Sequence, residues 1–232
     1  TVSALPVLVL VIFGFIWFLV KRLMQQRKIC AEERNWLAIV LIALLVWGGY
    51  LAYQSNRSRF ATAEFFASLP GYWLPFVPVM IVIVLFVLSP VLRRALRVLV
   101  DETPMHWLSG IHVLRILAVG SLVKASMGEF PASFAWYVGG PDLLFGLSAI
   151  VVSIMLRKRG LAVRYLIGWN LLGALVILVP VLGLMHLFMQ DLLFRELFAF
   201  PMVLAPGLVV PTLVMMNLLV ASRLFERRIS VS

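Results

Sequence analysis

The chain has 232 residues, of which 63% are hydrophobic and 13% are charged, and its formal net charge is +10. Water-soluble domains are about half apolar and about a quarter charged, so this composition excludes a soluble globular fold. A membrane protein that keeps basic residues on its cytoplasmic side explains the positive charge better than nucleic-acid binding does. The single cysteine, Cys30, excludes an internal disulfide.

Seven apolar stretches follow one another along the chain, each long enough to cross a bilayer as a helix. Because lipid offers no hydrogen-bond partners, the backbone must pair within each stretch, which predicts an all-α, seven-transmembrane-helix bundle. The first stretch lacks the basic start and the cleavage site of a signal peptide, so it is predicted to span. We expect a single membrane domain over 1–232, with spans at about 4–20, 36–53, 73–92, 104–124, 131–156, 165–188 and 201–222.

The basic residues predict the orientation of these spans. Every second gap, together with the C-terminal tail, carries 15 of them, and the other gaps carry four. The rich segments hold Lys21, Arg22, Arg27, Lys28, Arg34, Arg93, Arg94, Arg97, Arg157, Lys158, Arg159, Arg164, Arg223, Arg227 and Arg228. The poor gaps hold Arg57, Arg59, Lys124 and Arg195. Positive charge favours the cytoplasm, so the C-terminus is predicted inside and the N-terminus outside.

Turn-forming and helix-capping residues predict further local features between and within the spans. The gap 54–72 mixes aromatic and polar residues, and a short surface helix and an ordinary loop both fit it. Thr103 and Pro104 are typical of the N-cap and first position of span 4. Spans 3 and 7 are predicted to be kinked, because they contain Pro75, Pro78, Pro90, Pro206 and Pro211.

Two ionisable residues lie where the bilayer penalises charge. Arg115 is 11 residues into span 4 and Asp142 is 11 residues into span 5, and these consecutive spans run in opposite directions. At about 1.5 Å per residue both are about 16 Å deep, near the middle of a hydrocarbon core about 30 Å thick. A lone charge there costs roughly 3 kcal/mol or more. We therefore predict an Arg115–Asp142 ion pair.

Further polar residues lie near the predicted pair. Ser109 and His112 precede Arg115 at intervals of three on span 4, and Asn170 lies at a similar depth in span 6 beside Trp169. The candidate polar site is thus Ser109, His112, Arg115, Asp142 and Asn170, while Asn217 falls in the cytoplasmic half of span 7. Three roles are open: fixing helix packing, transport or proton relay, and binding of a ligand or cofactor.

Span 5 permits two interpretations around Asp142. Gly139-Gly140-Pro141 weakens a helix, and a break there would place a half-helix N-terminus in mid-membrane, as in many transporters. Small residues also recur at intervals of three or four, which predicts close contact with a neighbouring helix. That stripe consists of Ala135, Gly139, Asp142, Gly146, Ala149 and Ser153, with Gly173 and Ala174 as possible partners.

Catalytic and metal motifs are not evident in the sequence. His106 and His186 fall near opposite membrane faces, so they cannot share one metal or haem with each other. The last span has no lysine for a retinal Schiff base, and no HExxH, GxSxG or P-loop pattern occurs. We therefore predict no catalytic, metal-binding or cofactor-binding residue.

The segment from Ile111 to Leu224 resembles a group of small, uncharacterised bacterial polytopic inner-membrane proteins. Their pattern is an arginine, then Pro-x-x-Phe-Ala, Gly-x-Gly-Asp, Trp-Asn and a proline-rich last helix. This chain has Gly-Gly-Pro-Asp in place of Gly-x-Gly-Asp. The matching residues are Arg115, Gly120, Pro131, Phe134, Ala135, Gly139, Asp142, Gly146, Trp169, Asn170, Pro201, Pro206 and Pro211. The resemblance implies a bacterial inner membrane and the importance of Arg115, Asp142 and Asn170, and no activity.

Three functional classes follow from these observations. The first is a small transporter or permease-like protein that uses the mid-membrane polar site. The second is an integral subunit or accessory protein of a larger membrane complex, and the third is a membrane-embedded enzyme, for which no acid–base constellation is evident. Expected partners are the lipid bilayer and other membrane subunits or copies of the chain, and no nucleic acid.

Overall fold

The computed structural model describes residues 4–60, 62, 65, 73–189 and 191–229. Six of its helices are long and apolar enough to cross a membrane, and a bent helix pair provides a seventh crossing if it is counted as one span. The chain is therefore an all-helical, multi-pass membrane protein, as predicted. Of the gap 54–72, where a surface helix or a loop was expected, most residues from 61 onward lie outside the described residues.

The helices occupy the predicted stretches, with ends shifted by a few residues. They are α1 (Leu5–Gln25), α2 (Ala31–Asn56), α3 (Phe76–Leu88), α4 (Pro90–Glu102), α5 (Met105–Ser126), α6 (Ala132–Lys158), α7 (Val163–Gly183) and α8 (Ala205–Ile229). Two short helical segments, Met185–Phe188 and Leu192–Phe198, lie between α7 and α8. The predicted span 165–188 thus ends five residues early, at Gly183.

The predicted span at 73–92 is bent near Pro90, one of the prolines expected to kink it, and the bend is too sharp for a kink within one helix. Helix α3 has only 13 residues, about 20 Å at 1.5 Å per residue, and α4 leaves it at 111°. Ser89 at the junction is extended, and its Oγ accepts a hydrogen bond from the Leu92 N–H at 3.1 Å. Pro90 follows as the first residue of α4. The serine cap and the proline together end one helix and start the next.

The chain forms two compact units. The first consists of Thr1–Thr103 and Leu197–Thr212, and the second of Pro104–Glu196 and Leu213–Ser232. The single membrane domain remains a prediction.

In the first unit, α4 packs against α2 and brings two basic segments to the same end. Arg94 Nε lies 3.2 Å from Glu33 Oε1, and Lys28 Nζ lies 3.2 Å from Glu102 Oε2. Glu33 also caps the start of α2, accepting a hydrogen bond from the Cys30 N–H at 2.7 Å. The segments after the first and third predicted spans therefore lie on one face of this unit.

Within the described residues, two helical turns are wider than an α-helical turn, and each closes directly before a proline. In α6 the Gly140 N–H reaches back five residues to the Ala135 carbonyl, and Pro141 follows. In α8 the Val210 N–H reaches back to the Ala205 carbonyl, and Pro211 follows. Proline lacks an N–H and its ring crowds the carbonyl four residues earlier, and a wider turn relieves that crowding.

Candidate functional site

The candidate site lies in the second unit, and a change of helix type in α5 aligns its residues. Residues Ile111–Ala118 form a 3₁₀ segment with three residues per turn, so side chains three apart lie above one another. His112 and Arg115 therefore project along one line. His112 is fully buried and Arg115 is 3% exposed. Such a segment within a longer helix often marks a functional position.

The predicted Arg115–Asp142 pair is present. Arg115 Nη1 lies 3.1 Å from Asp142 Oδ1, and the same nitrogen donates a hydrogen bond to the Gly173 carbonyl of α7 at 2.7 Å. Their side chains are 1% and 13% exposed. One guanidinium thus connects α5, α6 and α7.

Close contact between α5 and α6 makes this pair possible. A Cβ atom placed on Gly146 would lie 2.7 Å from the Ile116 backbone nitrogen and 2.9 Å from the Arg115 carbonyl carbon. Ser153 Oγ also donates to the His106 carbonyl at 2.8 Å. Helix α6 continues from 132 to 158, with a wide turn at 135–139 but no break, so of the two interpretations of span 5 the broken helix does not apply. The small-residue stripe explains the contact instead.

Aromatic rings cover the guanidinium on its other side. Arg115 Cζ lies 4.8 Å from the centre of the Phe145 ring, which stacks on Trp169 with centroids 4.6 Å apart. The Trp169 indole donates to Ser148 Oγ at 3.0 Å, and that hydroxyl donates to the Phe145 carbonyl at 2.7 Å. A cation over a ring is stabilised by about 0.5–2 kcal/mol, more when it is desolvated.

His112 occupies the same aromatic pocket with unused hydrogen-bonding capacity. Its ring meets Phe145 and Trp169 edge to face, each at 5.8 Å. Both ring nitrogens are buried and have no hydrogen-bond partner within the described part of the chain. A neutral imidazole has one donor and one acceptor nitrogen, so His112 is able both to give and to accept a proton.

Asn217 of α8 is a site residue that the predicted set leaves out. It is fully buried, and neither atom of its amide has a partner among the described residues. A Cβ on Gly173 would lie 2.6 Å from its Nδ2 and would collide with the Phe145 ring, so the glycine makes room for both side chains. The sequence could have indicated this residue, because Asn217 is a lone amide within an apolar span.

Two predicted members contribute less than expected. Asn170 is buried, but its Nδ2 donates to the Leu166 carbonyl of its own helix at 2.9 Å. Ser109 is buried one turn before His112, at the end of the regular α-helical part of α5. The other members differ from these two, because each has a buried polar side-chain atom without a hydrogen-bond partner in the described part of the chain. We call His112, Arg115, Asp142 and Asn217 the polar core.

The polar core combines fixed charge with unsatisfied donors and acceptors. Besides His112 and Asn217, Arg115 Nη2 is buried without a hydrogen-bond partner in the described part of the chain. Asp142 Oδ1 is in ion-pair range of Arg115, but its geometry does not make a hydrogen bond. A buried unsatisfied polar group costs about 1–3 kcal/mol, so several together need a use or a partner.

The fold and the polar core define a multi-pass helical membrane protein with an ion pair buried among its helices. The chain belongs to the family described as Domain of unknown function (DUF8737), whose family model matches residues 70–225. The matched residues include the whole polar core and leave α1 and α2 outside. Comparison with curated proteins and with solved structures finds no match.

Proposed function

We propose that the protein is a small permease-like transporter, in which the polar core carries protons or a small hydrogen-bonding solute across the bilayer. The observation that supports this most is the set of buried polar atoms around the Arg115–Asp142 pair that have no hydrogen-bond partner among the described residues. A purely structural ion pair is expected to have its remaining donors and acceptors satisfied, because each unsatisfied one destabilises the fold. Intramembrane ionisable residues commonly belong to ion and proton pathways.

A proton pathway requires a group that exists in two protonation states, and Asp142 of the pair can be ionised or protonated. When a proton adds to a carboxylate oxygen of Asp142, the carboxylate loses its charge and no longer holds the guanidinium electrostatically. Arg115 then keeps its hydrogen bond to the Gly173 carbonyl and its contact with the Phe145 ring, and its other N–H groups can bind a solute. His112, three residues before Arg115 on the same line, is our candidate for the next proton carrier, because neither of its ring nitrogens has a hydrogen-bond partner within the described part of the chain.

The proposal includes seven crossings, an external N-terminus, a cytoplasmic C-terminus and a bacterial inner membrane. The alternation of basic residues along the chain supports this orientation. The Lys28–Glu102 and Arg94–Glu33 contacts agree with it, since they join two segments that the proposal puts in the cytoplasm. Reporter fusions at 126 and 160 test the orientation. An outside signal at 160 with a cytoplasmic signal at 126 would contradict it.

Proton flux into vesicles tests the proposed activity. The full chain is reconstituted into liposomes that contain a pH-sensitive dye, and a potassium diffusion potential drives proton entry. We expect flux above that of empty liposomes and its loss in Asp142→Asn, which keeps the side-chain shape but removes the charge. Asp191→Asn is the matched control, because Asp191 caps a turn through the Leu193 N–H outside the polar core. Equal flux in wild type and Asp142→Asn would refute the proton pathway.

A further inference from the structure

An apolar groove in the first unit lies between α2 and α3. It has a volume of about 500 Å³, and its walls include Ile39 and Ala43 of α2 and Trp73, Met80, Val84 and Leu85 from the α3 side. All the residues that line it within the described part of the chain are hydrophobic. From Trp73 to Leu85 it extends for about 18 Å at 1.5 Å per residue.

Helix α3 contacts α2 and α4 but keeps most of its side chains at the surface of its unit, which leaves the groove open. Pro78 is the one buried residue of this helix among those that the structure describes, while Met80 and Val84 are about half exposed. Trp73, at the start of the groove, packs against Trp47 with centroids 6.3 Å apart. In a bilayer such a surface is covered by lipid tails or by another apolar helix.

Positive charge at one end of the groove distinguishes between these occupants. Arg93 Nη1 donates to the Val87 carbonyl at 3.2 Å, and Val87 lies two residues beyond Leu85, the last residue that lines the groove. This bond holds the guanidinium just past the groove's end, and a guanidinium has five N–H donors, so it can also bind another acceptor.

We propose that this groove binds one acyl chain of an anionic phospholipid, whose phosphate is bound by Arg93. Guanidinium and phosphate form strong bidentate hydrogen bonds, and basic residues on an interfacial amphipathic helix favour anionic headgroups. Helix α4 has that character, since it buries Leu92, Ala95 and Leu99 and exposes Arg94 and Arg97. A partner helix would fill the groove without using the arginine.

Quenching of Trp73 fluorescence by brominated lipid tests this site. The full chain is reconstituted in phosphatidylcholine containing a fixed fraction of brominated phosphatidylglycerol or brominated phosphatidylcholine. The contribution of Trp73 is the difference between wild type and Trp73→Phe. We expect apparent binding of the anionic lipid to be stronger by about fivefold, the equivalent of about 1 kcal/mol for one basic group.

Two variants separate the headgroup from the groove. Arg93→Gln should abolish the preference for the anionic lipid and keep Trp73 accessible to both lipids. Arg157→Gln, which removes an exposed arginine at the end of α6, is the matched control and should keep the preference.

Ala43→Phe fills the groove and should reduce quenching by both lipids, with size-exclusion profiles verifying the fold. Equal quenching of Trp73 by the two lipids in wild type, as for unselective boundary lipid, would overturn the proposal. The proposal would also be overturned by a protein that co-purifies with wild type, protects Trp73 from quenching, and no longer co-purifies with Ala43→Phe.

Discussion

Among single residues, the two charges of the Arg115–Asp142 pair are the most sensitive to substitution, because each is stabilised by the other. Arg115 and Asp142 lie 3.1 Å apart, and both are nearly inaccessible to water. Arg115→Leu or Asp142→Leu alone should destabilise the protein by roughly 3–5 kcal/mol, because the remaining charge is buried without its partner. The double leucine variant should lose less than either single variant. Folded yield and thermal unfolding in detergent measure this difference. Losses that simply add would show that the two side chains do not stabilise one another.

A second prediction at this scale concerns the contact between α5 and α6. Gly146→Ala places a methyl group against the backbone at Ile116, which cannot move as a flexible side chain would. The helices must separate, at a cost of about 1–3 kcal/mol typical of overpacking. Gly168→Ala on α7 is the control, because a Cβ there meets no atom within 4 Å. The melting temperature should fall for Gly146→Ala and stay level or rise for Gly168→Ala. The reverse order would contradict the close contact.

At the scale of helices, one proline explains a contact between distant parts of the first unit. The Gly207 carbonyl would normally accept a bond from the N–H four residues later, but that residue is Pro211. Trp47 donates to this carbonyl instead, with Nε1 2.9 Å from the oxygen. A Cβ on Gly207 would collide with Leu51 and lie 2.9 Å from Leu74 Cδ2, so the helices approach closely there.

This explanation predicts a dependence between two substitutions. Trp47→Phe should destabilise the protein, partly through lost packing and partly because the Gly207 carbonyl loses its donor, a loss of about 1–3 kcal/mol for a buried group. In a Pro211→Ala background, the helix can supply its own N–H, so Trp47→Phe should cost less. Unfolding of the four proteins in detergent gives the coupling directly. If Trp47→Phe lowers the free energy of unfolding equally in both backgrounds, Trp47 does not replace the missing N–H of residue 211 as the donor to the Gly207 carbonyl.

The sequence was sufficient for some of these features, and the reasons are physical. Span positions and the depths of Arg115 and Asp142 follow from apolar length alone, and so their pairing could be predicted. The 111° bend after Leu88 could not, because Pro90 indicates a kink but neither proline nor hydropathy reveals its angle. Asn217 was left out because the predicted span ends at 222, whereas α8 continues to Ile229 and so places Asn217 near its middle. Asn170 was overvalued, since burial does not reveal that its amide bonds to Leu166.

At the scale of the whole molecule, stability and function make different demands on the same pair. If the polar core only fixed helix packing, apolar residues of similar size could replace it, as in other proteins where buried ion pairs are dispensable. If the polar core carries protons, no apolar replacement can do so. The double variant Arg115→Leu/Asp142→Leu therefore separates the two roles, because it removes both charges without leaving either one unpaired.

Proton flux through this double variant in liposomes tests most directly whether the Arg115–Asp142 pair carries protons. The flux is measured on protein that elutes as a single folded species. The account predicts recovered folded yield relative to the single variants and flux no greater than in empty liposomes. Wild-type flux in the double variant would contradict it, because the Arg115–Asp142 pair would then serve packing alone.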